Sequence, residues 1–305
     1  MRVISLASGS SGNCYLVQNG STNILIDSGL SASQIERSLL KYGVSTNRLA
    51  AIFLTHEHSD HLKGAGTISR QWGVPVIASE RTLKAARPRW DKIARMEEVR
   101  AGQLQPAVVR GGVRKSPPVS IHYNLEVLPV GGVKSLDGLE VSSVPVSHDA
   151  AETVCYTIRA GGQQVTILTD LGCATEPIFE PLYHSDLIVL EANHDLSKLR
   201  QNPHYPASLK ARISSDHGHL ENYQSAGILQ RVIEYSGTAH AVWLAHLSEE
   251  NNDPKNAVKI INTCLTNASI LNFPLKVALR DKPSLSWDSQ QALFQSQMFF
   301  GEDLI

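Results

Sequence analysis

Between Thr55 and His61 the chain reads Thr55-His56-Glu57-His58-Ser59-Asp60-His61, which sets four potential metal ligands, His56, His58, Asp60 and His61, within six residues. A neutral imidazole offers a lone pair to a divalent cation, and a carboxylate adds the negative charge that tightens the site. A single histidine at a strand end needs no metal to explain it; four such groups together do. The string follows Ala50-Ala51-Ile52-Phe53-Leu54, an apolar run that reads as a buried strand. Its ligands therefore fall in the loop at a strand's C-terminal end, where open α/β sheets place their sites. Glu57 lies between two ligands and is read as a carboxylate turned away from the metal.

The same context recurs three times. Residues 139–146 alternate as a strand should and lead to His148; 164–169 lead to Asp170; 241–245 lead to His246. Taken singly, each is a polar residue after an apolar segment. Beside the first motif, each becomes a candidate ligand. No cysteine enters the set, and nitrogen and oxygen donors suit zinc or manganese.

The Thr-His-x-His-x-Asp-His string resembles the principal metal motif of the metallo-β-lactamase-fold hydrolases. Further strings narrow the resemblance: Ala7 to Asn13, Val146 to Glu152, Leu190-Glu191-Ala192-Asn193-His194-Asp195, Ser214 to Asn222, and Ala245-His246-Leu247-Ser248-Glu249-Glu250-Asn251-Asn252. Together they are similar to the YycJ (WalJ) family, related to ribonuclease Z, over roughly residues 1–265. This likeness implies an αββα sandwich and two divalent ions per chain. One ion would be held by His56, His58 and His148 and the other by Asp60, His61 and His246, with Asp170 bridging. It implies phosphodiester hydrolysis on nucleic acid, as a 5′-to-3′ DNA exonuclease associated with mismatch repair.

The expected chemistry is in-line attack on phosphorus by water or hydroxide held between the ions. Asp60 would orient the attacking oxygen. His219, in Gly218-His219-Leu220-Glu221-Asn222, is the expected proton donor to the leaving oxygen, with Glu191 as the acid that orients it. A helix-start cap is the plainer alternative for His219. His194 and His217 are candidate phosphate contacts. Ser10, Ser11 and Asn13 could offer backbone N–H groups to a phosphate, or form only a tight turn. Arg87, Arg89, Lys198, Arg200, Lys210 and Arg212 could follow a phosphate backbone, but sequence does not put them on one face.

Two other classes compete. A thioester or lactone hydrolase of the glyoxalase II type would share the first motif without needing the Gly-His-Leu-Glu-Asn string. A metal-bearing interaction protein without turnover would be favoured by a lost ligand, and none is lost.

The chain's 305 residues suit one domain with additions: a metallo-β-lactamase-fold domain over 1–270 with an insertion near 101–130, then a final strand and C-terminal extension over 271–305. Residues 289–300 read as a helix or an extended arm. Cys14, Cys155, Cys173 and Cys264 form no CxxC pair, which suits a reducing cytoplasm. No signal peptide and no apolar run of about 18 residues appears, so no membrane association is expected. Nothing in the chain specifies an oligomeric state. Net charge is -1, yet residues 81–115 hold ten basic and three acidic side chains, a local +7 that leaves -8 elsewhere. Such a run is either a solvated face or a phosphate-binding surface.

Strands are expected over 2–7, 14–18, 23–27 and 74–78, with a Ser33-capped helix over 34–42 closed by Gly43 and a helix over 66–72. Ala160-Gly161-Gly162-Gln163 marks a hairpin between strands at 153–159 and 164–169.

Overall fold

The computed structural model describes residues 1–101, 121–237, 241–271 and 273–290. Strands β1 (Arg2–Ala7), β2 (Cys14–Asn19), β3 (Thr22–Ile26), β4 (Leu49–Phe53), β5 (Val76–Ala78) and β6 (Leu125–Val127) make the first sheet. The second holds β7 (Val133–Leu136), β8 (Leu139–Pro145), β9 (Val154–Ala160), β10 (Gln163–Leu168), β11 (Leu187–Glu191), β12 (Ala241–Ala245) and β13 (Leu275–Val277). β14 (Leu285–Asp288) then returns to the first sheet, antiparallel to β1, with Val3 opposite Trp287.

Helices α1 (Ala32–Leu40), α2 (Ser59–Leu62), α3 (Ala65–Trp72) and α4 (Glu80–Arg100) belong to the first half. α5 (Phe179–Tyr183), α6 (Leu196–Gln201), α7 (Ala207–Ile213), α8 (Asn222–Ser236) and α9 (Pro254–Asn267) belong to the second. Strand alternation sorts the apolar residues into layers. Val3, Val17, Ile24 and Ile26 meet Val141, Tyr156, Val165 and Val189 between the sheets. Ile4, Leu16 and Leu25 face Ile35, Leu39 and Ile68 of the helices, and Ile188, Leu190 and Leu244 face Leu229 and Ile261 on the far side. The result is the αββα sandwich. The Ala160–Gln163 turn joins β9 and β10 antiparallel, as its sequence predicts. Among the described residues no helix is long and apolar enough to cross a membrane.

Two local readings change. α1 begins before Ser33 because Ser31 is the cap, its side chain accepting from Gln34 N while the Gln34 side chain accepts from Ser31 N. The basic run from residue 81 lies mostly in α4, a 21-residue helix with Pro88 inside it. Thr82, Leu83, Ala86, Trp90 and Ala94 give it a buried stripe at helical spacing. Arg87 and Arg89, two residues apart at about 100° each, project on opposite sides of that helix. Arg110, Arg114 and Lys115, most of the 101–130 insertion, and residues beyond 290 lie outside the described residues.

Candidate metal centre

Strand ends build this site. Asp27 follows β3, His56 to His61 follow β4, His148 follows β8, Asp170 follows β10, Glu191 ends β11 and His246 follows β12. Asp27, Asp170 and His246 have φ of 60°, 59° and 53°. Left-handed backbone without glycine is strained by about 1–3 kcal/mol, and it concentrates at functional positions. Gly29 permits the close packing beneath the loop, since a Cβ there would lie 1.7 Å from Asp60 O.

Ring nitrogens of His56, His58 and His148 lie within 4.8 Å of one another. His148 Nδ1 donates to Gly218 O at 2.9 Å, so the neutral ring keeps its lone pair on Nε2, which sits 3.3 Å from His58 Nδ1. Two nitrogens of a tetrahedral zinc site, each about 2.0–2.1 Å from the ion, stand about 3.3–3.4 Å apart. His56 Nδ1 donates to Thr55 Oγ1 at 3.0 Å, and Thr55 Oγ1 donates onward to Asp27.

Asp60, His61 and His246 form a second group, and His56, His61 and Asp170 a third that links the two. His61 Nδ1 donates to Asp27 Oδ2 at 2.7 Å and His246 Nδ1 to Glu191 Oε1 at 2.9 Å. Their Nε2 atoms are thereby left facing Asp60 Oδ2 at 3.6 and 3.5 Å. Asp170 Oδ2 lies 3.0 Å from His61 Nε2. With Nδ1 committed to Asp27, a second proton on Nε2 would bridge to that carboxylate, and a cation bound there would take the proton's place.

His56 Nε2, His246 Nε2 and Asp170 Oδ2 are all buried without a hydrogen-bond partner. A buried polar atom left unpaired costs about 1–3 kcal/mol, so three in one cluster fit a divalent-ion site. Burial pulls His56 well below the usual imidazole range. Burial acts the same way on His61 and His246, but nearby carboxylates outweigh it: Asp170, Asp27 and Asp60 raise His61 well above its ordinary value, and Asp170, Asp60 and Glu191 push His246 up to about 10. Burial would raise Asp170, yet His246 and His61 hold it well below the carboxylate range. Protons here do the charge balancing that a divalent ion would take over.

Glu191 is fully buried, and Oε1 accepts from His219 Nδ1 at 2.8 Å as well as from His246, while Oε2 accepts from Leu171 N at 3.0 Å and Leu220 N at 3.3 Å. Burial opposes its ionisation, but the His219 charge and these imidazole hydrogen bonds lower it to about 2. The His219 ring centre lies 5.0 Å from that of His148 and 5.2 Å from that of His246, with the side chain 22% exposed.

The remaining sequence candidates are placed less uniformly. Asn13 is buried, its amide donating to Gly9 O and lying 3.0 Å from His61 Nε2, the ring atom that an ion at the second group would take. The amides of Gly9, Gly12 and Asn13 are taken within the protein, and among the described residues those of exposed Ser10 and Ser11 meet no acceptor. His194 is 1% exposed with both ring nitrogens unpartnered, and burial lowers it to about 4. A substrate could reach it only after its cover opened. His217 is exposed, its Nδ1 2.9 Å from Ser147 Oγ. The Glu57 carboxylate accepts from Ala151 N at 3.0 Å. Sequence reading passed over Asp27, although the strand-end rule that selects Asp170 selects it equally. It assigned no role to Thr55 or Asp149, although both stand beside candidate ligands in the motif strings.

Residues 7–218 match the metallo-beta-lactamase superfamily. The chain is 34% identical over 247 residues to the exodeoxyribonuclease YycJ of Bacillus anthracis, covering 81% of this chain and 82% of that protein. It is 31% identical over 247 residues to the exodeoxyribonuclease WalJ of Streptococcus pneumoniae, covering 81% of each. The fold is similar to that of the metallo-beta-lactamase fold protein YhfI from Bacillus subtilis, with a TM-score of 0.59 at 15% identity over 94% of this chain and 98% of that one. The clustered candidate ligands at the strand ends, the sandwich and the relatives agree, and the chain belongs to the metallo-beta-lactamase superfamily of hydrolases, within the family of YycJ and WalJ.

Proposed function

We propose that this chain is a dinuclear-metal phosphodiesterase, a 5′-to-3′ DNA exonuclease using zinc or manganese. His56, His58 and His148 would hold one ion and Asp60, His61 and His246 the other, with Asp170 shared, in keeping with the groupings of their ligand atoms. Ions bound there would lower the pKa of water and offset the charge that builds on phosphorus.

The placement of His219 carries the reading. Its Nδ1 is committed to Glu191, so Nε2 is the ring atom left to hold a proton for the departing oxygen. Its ring lies beside His148 of one group and His246 of the other. An alkoxide leaving from phosphorus needs that proton, whereas a thiolate leaving a thioester needs it far less. Glu191 orients the donor and one metal ligand together. Asp60, at the second group, would orient the attacking oxygen.

The exodeoxyribonuclease activity named for YycJ and WalJ supports DNA as substrate. The 5′-to-3′ polarity and a cytoplasmic role in DNA repair rest on the family resemblance. The test is degradation of 5′- and 3′-labelled single- and double-stranded DNA and RNA, with zinc, manganese and magnesium compared. Progressive loss of DNA from its 5′ end supports the proposal. Turnover of thioesters or lactones with no cleavage of nucleic acid would replace it with the small-molecule hydrolase.

A further inference from the structure

Between Asn202 and Gly218 the chain leaves the core: α7 buries none of its residues. Fixing a residue's backbone costs about 1–2 kcal/mol, so something other than apolar burial must hold this segment. Its tethers are polar and lie at the mouth of the metal centre. Ser147 Oγ donates to Asp216 O at 2.7 Å and accepts from His217 Nδ1 at 2.9 Å. Gly172, two residues past Asp170, lets Asp216 pack against it, since a Cβ there would lie 2.3 Å from the Asp216 carbonyl carbon. Arg212 Nε donates to Asp149 Oδ2. The other oxygen of Asp149 lies 3.7 Å from His58 Nε2 and 3.5 Å from His148 Nε2.

Arg212 is 60% exposed, and the bond to Asp149 is the one hydrogen bond of its guanidinium among the described residues. The other four of its five N–H donors have no hydrogen-bond acceptor among the described residues. A second arginine is anchored in a similar way: Arg89 of α4 donates through Nη1 to Glu57 O, and the Glu57 carboxylate accepts from Ala151 N. Both arginines thus attach to residues adjoining His56, His58 and His148, from separate elements. An arginine oriented in advance by one bond loses less freedom when it meets a second partner, and its planar fork matches phosphate oxygens.

We propose that Arg212 and Arg89 form a clasp for a backbone phosphate neighbouring the one cleaved, so that a nucleic-acid strand enters over His58 between α4 and α7. This inference rests on the phosphodiesterase reading. Asp149 is then a positioning residue, holding Arg212 at the mouth.

The test compares kcat and KM of Arg212→Gln, Arg89→Gln and Arg212→Lys on long single-stranded DNA and on a mononucleotide nitrophenyl diester, which lacks the neighbouring phosphate. Each Gln variant should raise KM for DNA about 10- to 100-fold and reduce the slope of affinity against salt by about one. KM for the small diester should move much less. Arg212→Lys keeps the charge and should retain most of the salt slope. Arg89→Gln lies on a different helix, so the clasp stays testable if Arg212→Gln unfolds α7. Equal KM changes on both substrates, or an undiminished salt slope in both Gln variants, would overturn the clasp while leaving the nuclease reading intact. A wild-type protein that cleaves neither DNA nor RNA would remove both.

Discussion

Asp27 and His61 meet at 2.7 Å with neither side chain exposed to solvent. The pair fixes His61 with its proton on Nδ1, and Asp27 also accepts from Thr55 N at 2.9 Å. Asp27→Asn removes the charge while keeping the shape, and residues that orient a metal ligand in this way typically change affinity by about 10- to 100-fold. The variant should therefore fold and bind divalent ions that much more weakly in competition with a chelator. Unchanged affinity would reduce Asp27 to a support for the Thr55 turn.

The carboxylates that raise His61 and His246 give the metal-free protein a distinctive pH response. A histidine whose folded pKa lies above its unfolded value of about 6.5 adds stability that is complete below that value and is lost as pH climbs towards the folded one. With His246 pushed up to about 10, metal-free protein should lose stability between about pH 6.5 and 10. Metal-loaded protein should not, because the ion has replaced the protons. Thermal unfolding of both forms across that window checks this, and calorimetry in buffers of differing ionisation enthalpy should register proton release on metal binding. Parallel pH profiles for the two forms would contradict it.

His219→Ala should keep its metal content and lose about 10²- to 10⁴-fold in DNA cleavage, whereas Asp170→Ala should lose metal and nearly all activity. A nitrophenyl phosphodiester, whose leaving oxygen needs no proton, should be cleaved by His219→Ala much closer to the wild-type rate. Equal losses on both substrates would make His219 a phosphate-positioning group.

Pro88 lies inside α4, where a proline removes one helix hydrogen bond. Pro88→Ala should stabilise the protein by about 1–3 kcal/mol, read from denaturant unfolding. A loss of stability would show that the proline shapes the helix.

The candidate metal groups were legible because their signal is local. Thr55 to His61 is one short string, and His148, Asp170 and His246 each follow a segment whose alternation marks a strand. Asp27 satisfied the same rule, but without a neighbouring motif its strand end looked ordinary. α4 was hidden because Pro88 and a dense run of arginines and lysines mask a buried stripe of only five side chains. The Arg212 to Asp149 pair joins residues 63 apart, and such a contact is created only when the second sheet folds back beside the first metal group.

Activity measured while metal is returned to metal-free protein tests the central claim most directly. With 5′-labelled DNA as substrate and zinc or manganese added in steps, the account predicts that cleavage rises to a plateau at two ions per chain, with Asp170→Ala inactive throughout. A plateau at one ion, or two bound ions with no cleavage of DNA, would contradict it.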